Sequence, residues 1–158
     1  MKKFRLGLVG AGRMGLVHLR AAADSALVEI VAVADPSVAA REMLCPFGVA
    51  VHADVMTMID AGGLDGILVA TPSPTHVATI AAVAARGLPI LCEKPCGISA
   101  AQAKEAAALA ESAGVHLQIG YWRRFVPELR ALRERILARG LGDLYLVSCF
   151  QWDETPPA

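Results

Sequence analysis

The sequence has no net charge, because its 15 lysines and arginines balance its 15 aspartates and glutamates. A protein that binds nucleic acid or an anionic membrane through its overall charge carries a basic excess. The balance gives no support for either kind of partner, and we expect neither.

Cysteine is scarce, and the spacing of the four cysteines is not typical of a metal site. They are Cys45, Cys92, Cys96 and Cys149. Between Cys92 and Cys96 lie a predicted strand end and a proline. We therefore expect no metal ion, and we interpret the four as reduced, mostly buried thiols of a cytoplasmic protein.

Long hydrophobic runs are also missing. The segment Met1–Arg5 resembles the basic start of a signal peptide, but the apolar run after it is short and is interrupted by Gly10 and Arg13. No stop-transfer segment, internal repeat or low-complexity linker follows. We interpret the run as a first strand and expect no membrane segment.

What the sequence does contain is an alternation of strand and helix patterns. Hydrophobic residues make up 55% of the chain, as expected for strands covered on both faces. The alternation predicts an α/β fold, a doubly wound parallel sheet, over residues 1–120. Residues 121–158 are expected to be the truncated start of an α+β second domain.

After the first strand, the predicted strands are Val28–Asp35, Val49–Val51, Gly66–Thr71, Leu88–Cys92 and Val115–Gly120. The predicted helices are Met14–Ala23, Ser37–Leu44, one capped by Asp54, one capped by Ser73 and running to Arg86, and one opening at Ser99 and running to Ala113.

A glycine-rich turn joins the first strand to the first helix. Gly10, Gly12 and Gly15 form the pattern G-x-G-x-x-G. The first glycine permits the tight turn, the second allows close approach of a pyrophosphate, and the third lets the helix pack against the strand. The N–H groups at the start of the helix would then face the phosphates. The turn predicts a dinucleotide site.

Asp35 ends the second predicted strand, twenty residues after Gly15. An acid at this position is expected to accept hydrogen bonds from the adenosine ribose. The alternative is a turn-forming acid before Pro36. A carboxylate would repel a 2′-phosphate, so we expect NAD, while Arg41 in the next helix keeps NADP open.

Glu93 and Lys94 follow the fifth predicted strand directly. One interpretation is a solvated charge pair. The other is functional, because ligands of doubly wound sheets bind at the carboxyl ends of the strands, where a lysine can polarise a carbonyl or help deprotonate an alcohol. We also predict that the Lys94–Pro95 peptide bond is cis.

The histidines and arginines are less informative. His76 lies in the first turn of a predicted helix, and a ligand contact and a packed histidine are equally compatible with that position. We expect structural or solvated roles for His18, His52 and His116. Arg123 and Arg124 follow the sixth predicted strand, where either cofactor contact or a surface position is possible.

Together these stretches resemble the N-terminal half of the Gfo/Idh/MocA oxidoreductases. The matching residues are Gly10-Ala11-Gly12-Arg13-Met14-Gly15, Asp35, Thr71-Pro72 with His76, Glu93-Lys94-Pro95, and Gly120 followed by Arg123-Arg124-Phe125. The resemblance implies that these motifs surround the cofactor, with Arg13, Met14, Thr71, Pro72, His76, Glu93 and Arg123 among the contacts. Trp122 departs from the family, which usually has a smaller or more flexible residue there.

The same resemblance implies hydride transfer between a nicotinamide and a secondary alcohol of a sugar, cyclitol or polyol, with Lys94 near the reacting hydroxyl. In such enzymes a histidine and an aspartate of the second domain complete the site. A different class of function also fits the fold, namely a non-catalytic dinucleotide sensor. Lys94 argues against the sensor, because a sensor has no need of it.

After Gly120 the pattern changes. Phe125, Leu129, Leu132 and Ile136 form an apolar stripe on a predicted helix that ends at Gly140. A strand is predicted over Leu144–Trp152, with no later strand to pair with. An exposed strand edge and a partly covered stripe favour self-association, so we expect a homo-oligomer.

Overall fold

The computed structural model describes residues 2–150. The chain divides into two compact units, one covering Met1–Tyr121 and one beginning at Trp122. The strands of the first unit are β1 (Phe4–Val9), β2 (Val28–Ala34), β3 (Ala50–His52), β4 (Gly66–Val69), β5 (Ile90–Cys92) and β6 (Leu117–Ile119). Its helices are α1 (Arg13–Ala23), α2 (Val38–Glu42), α3 (Val55–Asp60), α4 (His76–Ala84) and α5 (Ala100–Ser112). Each hydrogen-bonded pair of strands is parallel, in the order β3-β2-β1-β4-β5-β6, which confirms the predicted doubly wound sheet.

The core lies on both faces of the sheet, because successive side chains of a strand point in opposite directions. In β1, Leu8 belongs to one apolar cluster and Val9 to the other. In the neighbouring β4, Leu68 and Val69 divide in the same way. Helix residues complete each cluster, among them Leu19 of α1 on one face and Ile80 of α4 on the other. This burial explains why the strands are almost entirely apolar.

Three helices begin at the side chains that the sequence indicates. Ser37 Oγ accepts a hydrogen bond from Ala40 N, and Asp54 Oδ1 accepts one from Thr57 N. Ser99 Oγ accepts one from Gln102 N. Each bond uses a backbone N–H that the first helical turn leaves without a partner.

The prediction that Ser73 caps α4 is wrong. Residues Ser73–Thr75 form a short 3₁₀ turn, and α4 begins at His76. The N–H groups of Thr75 and His76, which a Ser73 cap would use, donate to the backbone carbonyls of Pro72 and Ser73. The turn is closed instead by Thr75, whose N–H and Oγ1 both donate to the carbonyl of Pro72.

Two of the four cysteines are buried, Cys92 and Cys96, whereas Cys45 and Cys149 are exposed. Burial raises the pKa of the Cys92 thiol to about 12, with a further contribution from Cys96 and Glu93, and burial also raises the pKa of Cys96. Both buried thiols therefore stay protonated at neutral pH.

Alkylation should separate the two pairs of thiols. With iodoacetamide at about pH 8, we expect Cys45 and Cys149 to react first, since the thiolate fraction of Cys92 is roughly a thousandfold below that of an ordinary cysteine. Peptide mass spectrometry measures the modified fraction at each site. Unfolded protein, in which all four thiols are accessible, is the control. Equal rates in the folded protein would contradict the burial.

The second unit contains a 3₁₀ turn at Trp122–Phe125 and the helix α6 (Pro127–Leu137). The predicted strand over Leu144–Trp152 is wrong for its described part, because residues 144–150 have no regular structure; the last two positions lie outside the described residues. An extended segment becomes a strand by exchanging backbone hydrogen bonds with a neighbour. The described part of this unit has no strand that could serve as that neighbour.

The apolar stripe of α6 is exposed along Leu129, Leu132 and Ile136. Self-association through this unit stays a prediction. Across residues 2–150, no helix has the length and apolar character needed to span a lipid bilayer.

Candidate functional site

A cleft of about 740 Å³ opens at the carboxyl edge of the sheet. It lies where β1 has β2 on one side and β4 on the other, which is the place where doubly wound sheets bind ligands. Its lining includes seven of the predicted site residues: Gly10, Gly12, Arg13, Met14, Asp35, Thr71 and Pro72. The loops after β1, β2 and β4 therefore meet at one surface.

The three glycines of the turn have different surroundings. Gly10 has φ +98°, and a Cβ there would lie 2.8 Å from the carbonyl oxygen of Ala70. A Cβ on Gly15 would lie 2.0 Å from the carbonyl oxygen of Gly10. The protein itself therefore requires glycine at these two positions.

Gly12 is different, since a Cβ there would meet no atom within 4 Å. Its φ of −71° is open to any residue, and it occupies the position just before α1. Neither a steric clash nor backbone strain requires glycine at this place. Open space before a helix N-terminus is where a pyrophosphate binds in dinucleotide sites, so this part of the site fits the cofactor.

Asp35 is fixed by two backbone N–H groups. Its Oδ2 accepts a hydrogen bond from Ala11 N in the glycine turn, and its Oδ1 accepts one from Ser37 N, each at 2.8 Å. The contact with Ser37 is the turn-forming role that the sequence left open as the alternative. A carboxylate has about four acceptor positions, so two accepted bonds leave capacity for ribose hydroxyls.

Arg41 lies beside the same strand end. Its Nη1 donates to the carbonyl oxygens of Asp35 at 2.8 Å and Pro36 at 2.9 Å. A guanidinium has five N–H donors, so further donors of Arg41 are available near Asp35. These donors bear on the choice between NAD and NADP, because only NADP carries a 2′-phosphate that a guanidinium can bind.

Glu93 and Lys94 do not form a charge pair with each other. Glu93 Oε1 lies 2.7 Å from His18 Nε2 on α1, and Glu93 Oε2 accepts a hydrogen bond from the Lys94 backbone N–H at 3.1 Å. The Lys94 side chain is exposed, and among residues 2–150 its ammonium has no ion-pair partner. The Lys94–Pro95 bond is cis, as predicted.

His76 is 1% exposed. Its Nδ1 lies 2.8 Å from the carbonyl oxygen of Pro95, and its Nε2 lies 2.8 Å from that of Thr71. Both ring nitrogens therefore face protein acceptors, which leaves neither to bind a cofactor. The structure favours a packed histidine that joins the β4 and β5 loops over a direct ligand.

His18 has a partner that the sequence did not reveal. We expected a structural or solvated histidine, and the structure pairs it with Glu93, 75 positions along the chain. The available signal was its place on α1, one turn after Gly15 and close to the carboxyl edge of the sheet.

Arg123 belongs to the second unit. Its guanidinium carbon lies 5.2 Å from the centroid of the Trp122 ring, within the range of a cation–π contact. Contact of Arg123 with a cofactor stays a prediction, as does the effect of Trp122 on the shape of the pocket.

Comparison with known proteins identifies the family to which this chain belongs. The family model described as "Oxidoreductase family, NAD-binding Rossmann fold" matches residues 4–121. The chain belongs to the Gfo/Idh/MocA oxidoreductase family. Its turn, sheet order and cleft are those expected of the NAD-binding part of that family.

Three relatives place the chain within the family. It is 66% identical over 158 residues to the rhizopine catabolism protein MocA of Rhizobium meliloti, covering 100% of this chain and 50% of that protein. It is 32% identical to an inositol 2-dehydrogenase of Rhizobium meliloti, covering 97% of this chain and 46% of that enzyme. The crystal structure of scyllo-inositol dehydrogenase from Lactobacillus casei, with bound NAD(H) and scyllo-inositol, matches with a TM-score of 0.82 at 25% identity, covering 90% of this chain and 43% of that one. The chain thus spans about half the length of its relatives.

Proposed function

We propose that this chain forms the cofactor-binding half of an NAD-dependent dehydrogenase that oxidises a secondary alcohol of a cyclitol, polyol or sugar. The observation that supports the proposal best is the open space at Gly12, beside an Asp35 carboxylate that is bonded to the same turn. The chemistry of the relatives supports the substrate class, since two of those compared are named as inositol dehydrogenases.

In the proposed complex, Gly12 and the N–H groups at the start of α1 would hold the pyrophosphate. Arg13 is exposed at this point and adds a positive charge. The adenosine ribose donates to Asp35, whose carboxylate is already oriented by Ala11 N and Ser37 N. Preorganisation of this kind lowers the entropic cost of binding.

Lys94 is the proposed catalytic residue of this half. It follows β5 directly, at the edge of the sheet where the cleft opens, and its ammonium has no ion-pair partner within residues 2–150. Its N–H groups can hold the oxygen of the substrate alcohol while the nicotinamide, when bound, takes up the hydride. Holding that oxygen would stabilise the negative charge that develops as its proton passes to a base supplied by the second half of the protein.

Cofactor choice gives a direct test at Asp35. Replacing Asp35 with serine removes the charge that repels a 2′-phosphate, so we expect the preference for NAD over NADP to fall by about tenfold. Arg41 is expected to favour NADP in this variant, since its remaining donors lie beside the ribose position. Calorimetric titration with both nucleotides measures the ratio of the two dissociation constants.

The matched control is Asp54→Ser, which changes an exposed carboxylate on the same cleft that caps α3. It should leave the ratio unchanged. A wild-type protein that already prefers NADP would contradict the role of Asp35, and no binding of either nucleotide would contradict the proposed function.

A further inference from the structure

Two helices hold the segment Glu93–Pro95 from opposite ends. His18 of α1 contacts the side chain of Glu93, and His76 of α4 contacts the carbonyl of Pro95. Lys94 lies between these two contacts. We call His18, Glu93 and His76, with the bonds they make, the histidine brace.

At one end of the brace, the carboxylate of Glu93 connects a helix to the backbone of Lys94. Its Oε1 lies 2.7 Å from His18 Nε2, and its Oε2 accepts from the Lys94 N–H. The Glu93 side chain is 14% exposed, so its charge needs these partners. Without the histidine, the carboxylate would turn towards water and the N–H of Lys94 would lose its acceptor.

At the other end, His76 ties two loops together. The carbonyl of Thr71 belongs to the loop after β4, which lines the cleft, and the carbonyl of Pro95 belongs to the segment after β5. Carbonyl oxygens only accept hydrogen bonds, so a ring nitrogen that carries a hydrogen donates to the carbonyl that it faces. The ring therefore fixes the distance between the cleft and the Lys94 segment.

The residues on either side of the segment Glu93–Pro95 are buried, although Lys94 and Pro95 are exposed. Cys92 and Cys96 flank the segment, both are buried, and burial keeps both thiols protonated. His76 is 1% exposed, so few water molecules can replace a bond that is lost at that end of the brace.

We propose that His18 and His76 are positioning residues for Lys94, with His18 acting through Glu93. The proposal rests on the proposed function for the role of Lys94, but the geometry that it describes can be measured without any reaction. A lysine displaced by about 1 Å from its productive position can cost up to about a hundredfold in turnover.

The test compares His18→Gln with His18→Leu, because the glutamine amide can still donate to Glu93 and leucine cannot. His18 is partly exposed, so both variants are expected to fold, whereas replacing the buried His76 is expected to lower stability as well. His116→Gln, an exposed histidine directly before β6 at the opposite end of the sheet, is the control.

Two readouts distinguish positioning from general stability. In this chain, the amide resonance of Lys94 is expected to shift and its hydrogen exchange to accelerate by about tenfold in His18→Leu, but to change little in His18→Gln and His116→Gln. In a chain joined to the second half of the MocA relative, His18→Leu should lower kcat by tenfold or more and leave the dissociation constant for NADH unchanged. The His18→Gln variant should retain most of the kcat of the wild-type joined protein.

An unchanged Lys94 amide in His18→Leu would overturn the proposal, and so would an equal loss of kcat in the glutamine and leucine variants. Failure of the wild-type chain to bind NADH would instead overturn the proposed function. The amide measurement on the nucleotide-free protein is independent of that result.

Discussion

Replacing Gly12 with valine is expected to lower the affinity for NADH by roughly a hundredfold or more, about 2.7 kcal/mol of binding free energy. A side chain at this position enters the open space before α1, where the pyrophosphate of the proposed complex lies. The backbone of Gly12 has φ −71° and ψ −169°, which valine adopts without strain, so the fold should persist. Calorimetric titration with NADH measures the loss.

Gly12→Ala is the graded comparison, because it places a single methyl group in the same space and should weaken binding less than valine does. Thermal unfolding of both variants checks the fold, and the midpoints should stay close to that of the wild type. A folded Gly12→Val protein that binds NADH with undiminished affinity would refute the assignment of the glycine turn.

The second large effect concerns turnover. This chain alone is expected to bind the cofactor and yet oxidise alcohols at least a thousandfold more slowly than a chain joined to the second half of the MocA relative. An alcohol needs a base within hydrogen-bond reach of its proton. Near Lys94 in this unit, the Glu93 carboxylate is bonded to His18 and to a backbone N–H, and both nitrogens of His76 face carbonyls.

The measurement is the rate of NADH formation with myo-inositol and several aldoses. The rate of this chain alone is compared with that of the joined protein at equal cofactor occupancy. The Lys94→Met variant of the joined protein is the matched control, because it keeps a long side chain without the ammonium. Comparable turnover by this chain alone would show that Lys94 serves as the sole base, and the proposal that the second half of the protein completes the active site would be wrong.

The fold could be predicted largely from local patterns. The turn from Gly10 to Gly15 combines a strand end, a helix start and a fixed glycine spacing, and each of these is a short-range signal. Ser37, Asp54 and Ser99 cap helices through bonds that span three residues. Such contacts are visible in sequence because they depend on neighbours.

The parts that could not be predicted depend on distant partners. His18 contacts Glu93 and His76 contacts Pro95, 19 residues away, so spacing along the chain does not identify either partner. Leu144–Trp152 has the composition of a strand, but composition does not supply a neighbouring strand. At Ser73 the local signal for a cap was present, but carbonyls of the 3₁₀ turn accept from the N–H groups of Thr75 and His76 that the cap would use.

The central claim is that a nicotinamide dinucleotide binds across the carboxyl edge of this sheet. The most direct measurement is a titration of the isotopically labelled chain with NADH, followed by the backbone amide resonances in two-dimensional NMR. The account predicts saturable shifts at Gly12, Asp35 and Thr71, extending to Lys94 with NADH but not with AMP. Shifts confined to residues outside the cleft, or no saturable shifts at all, would contradict it.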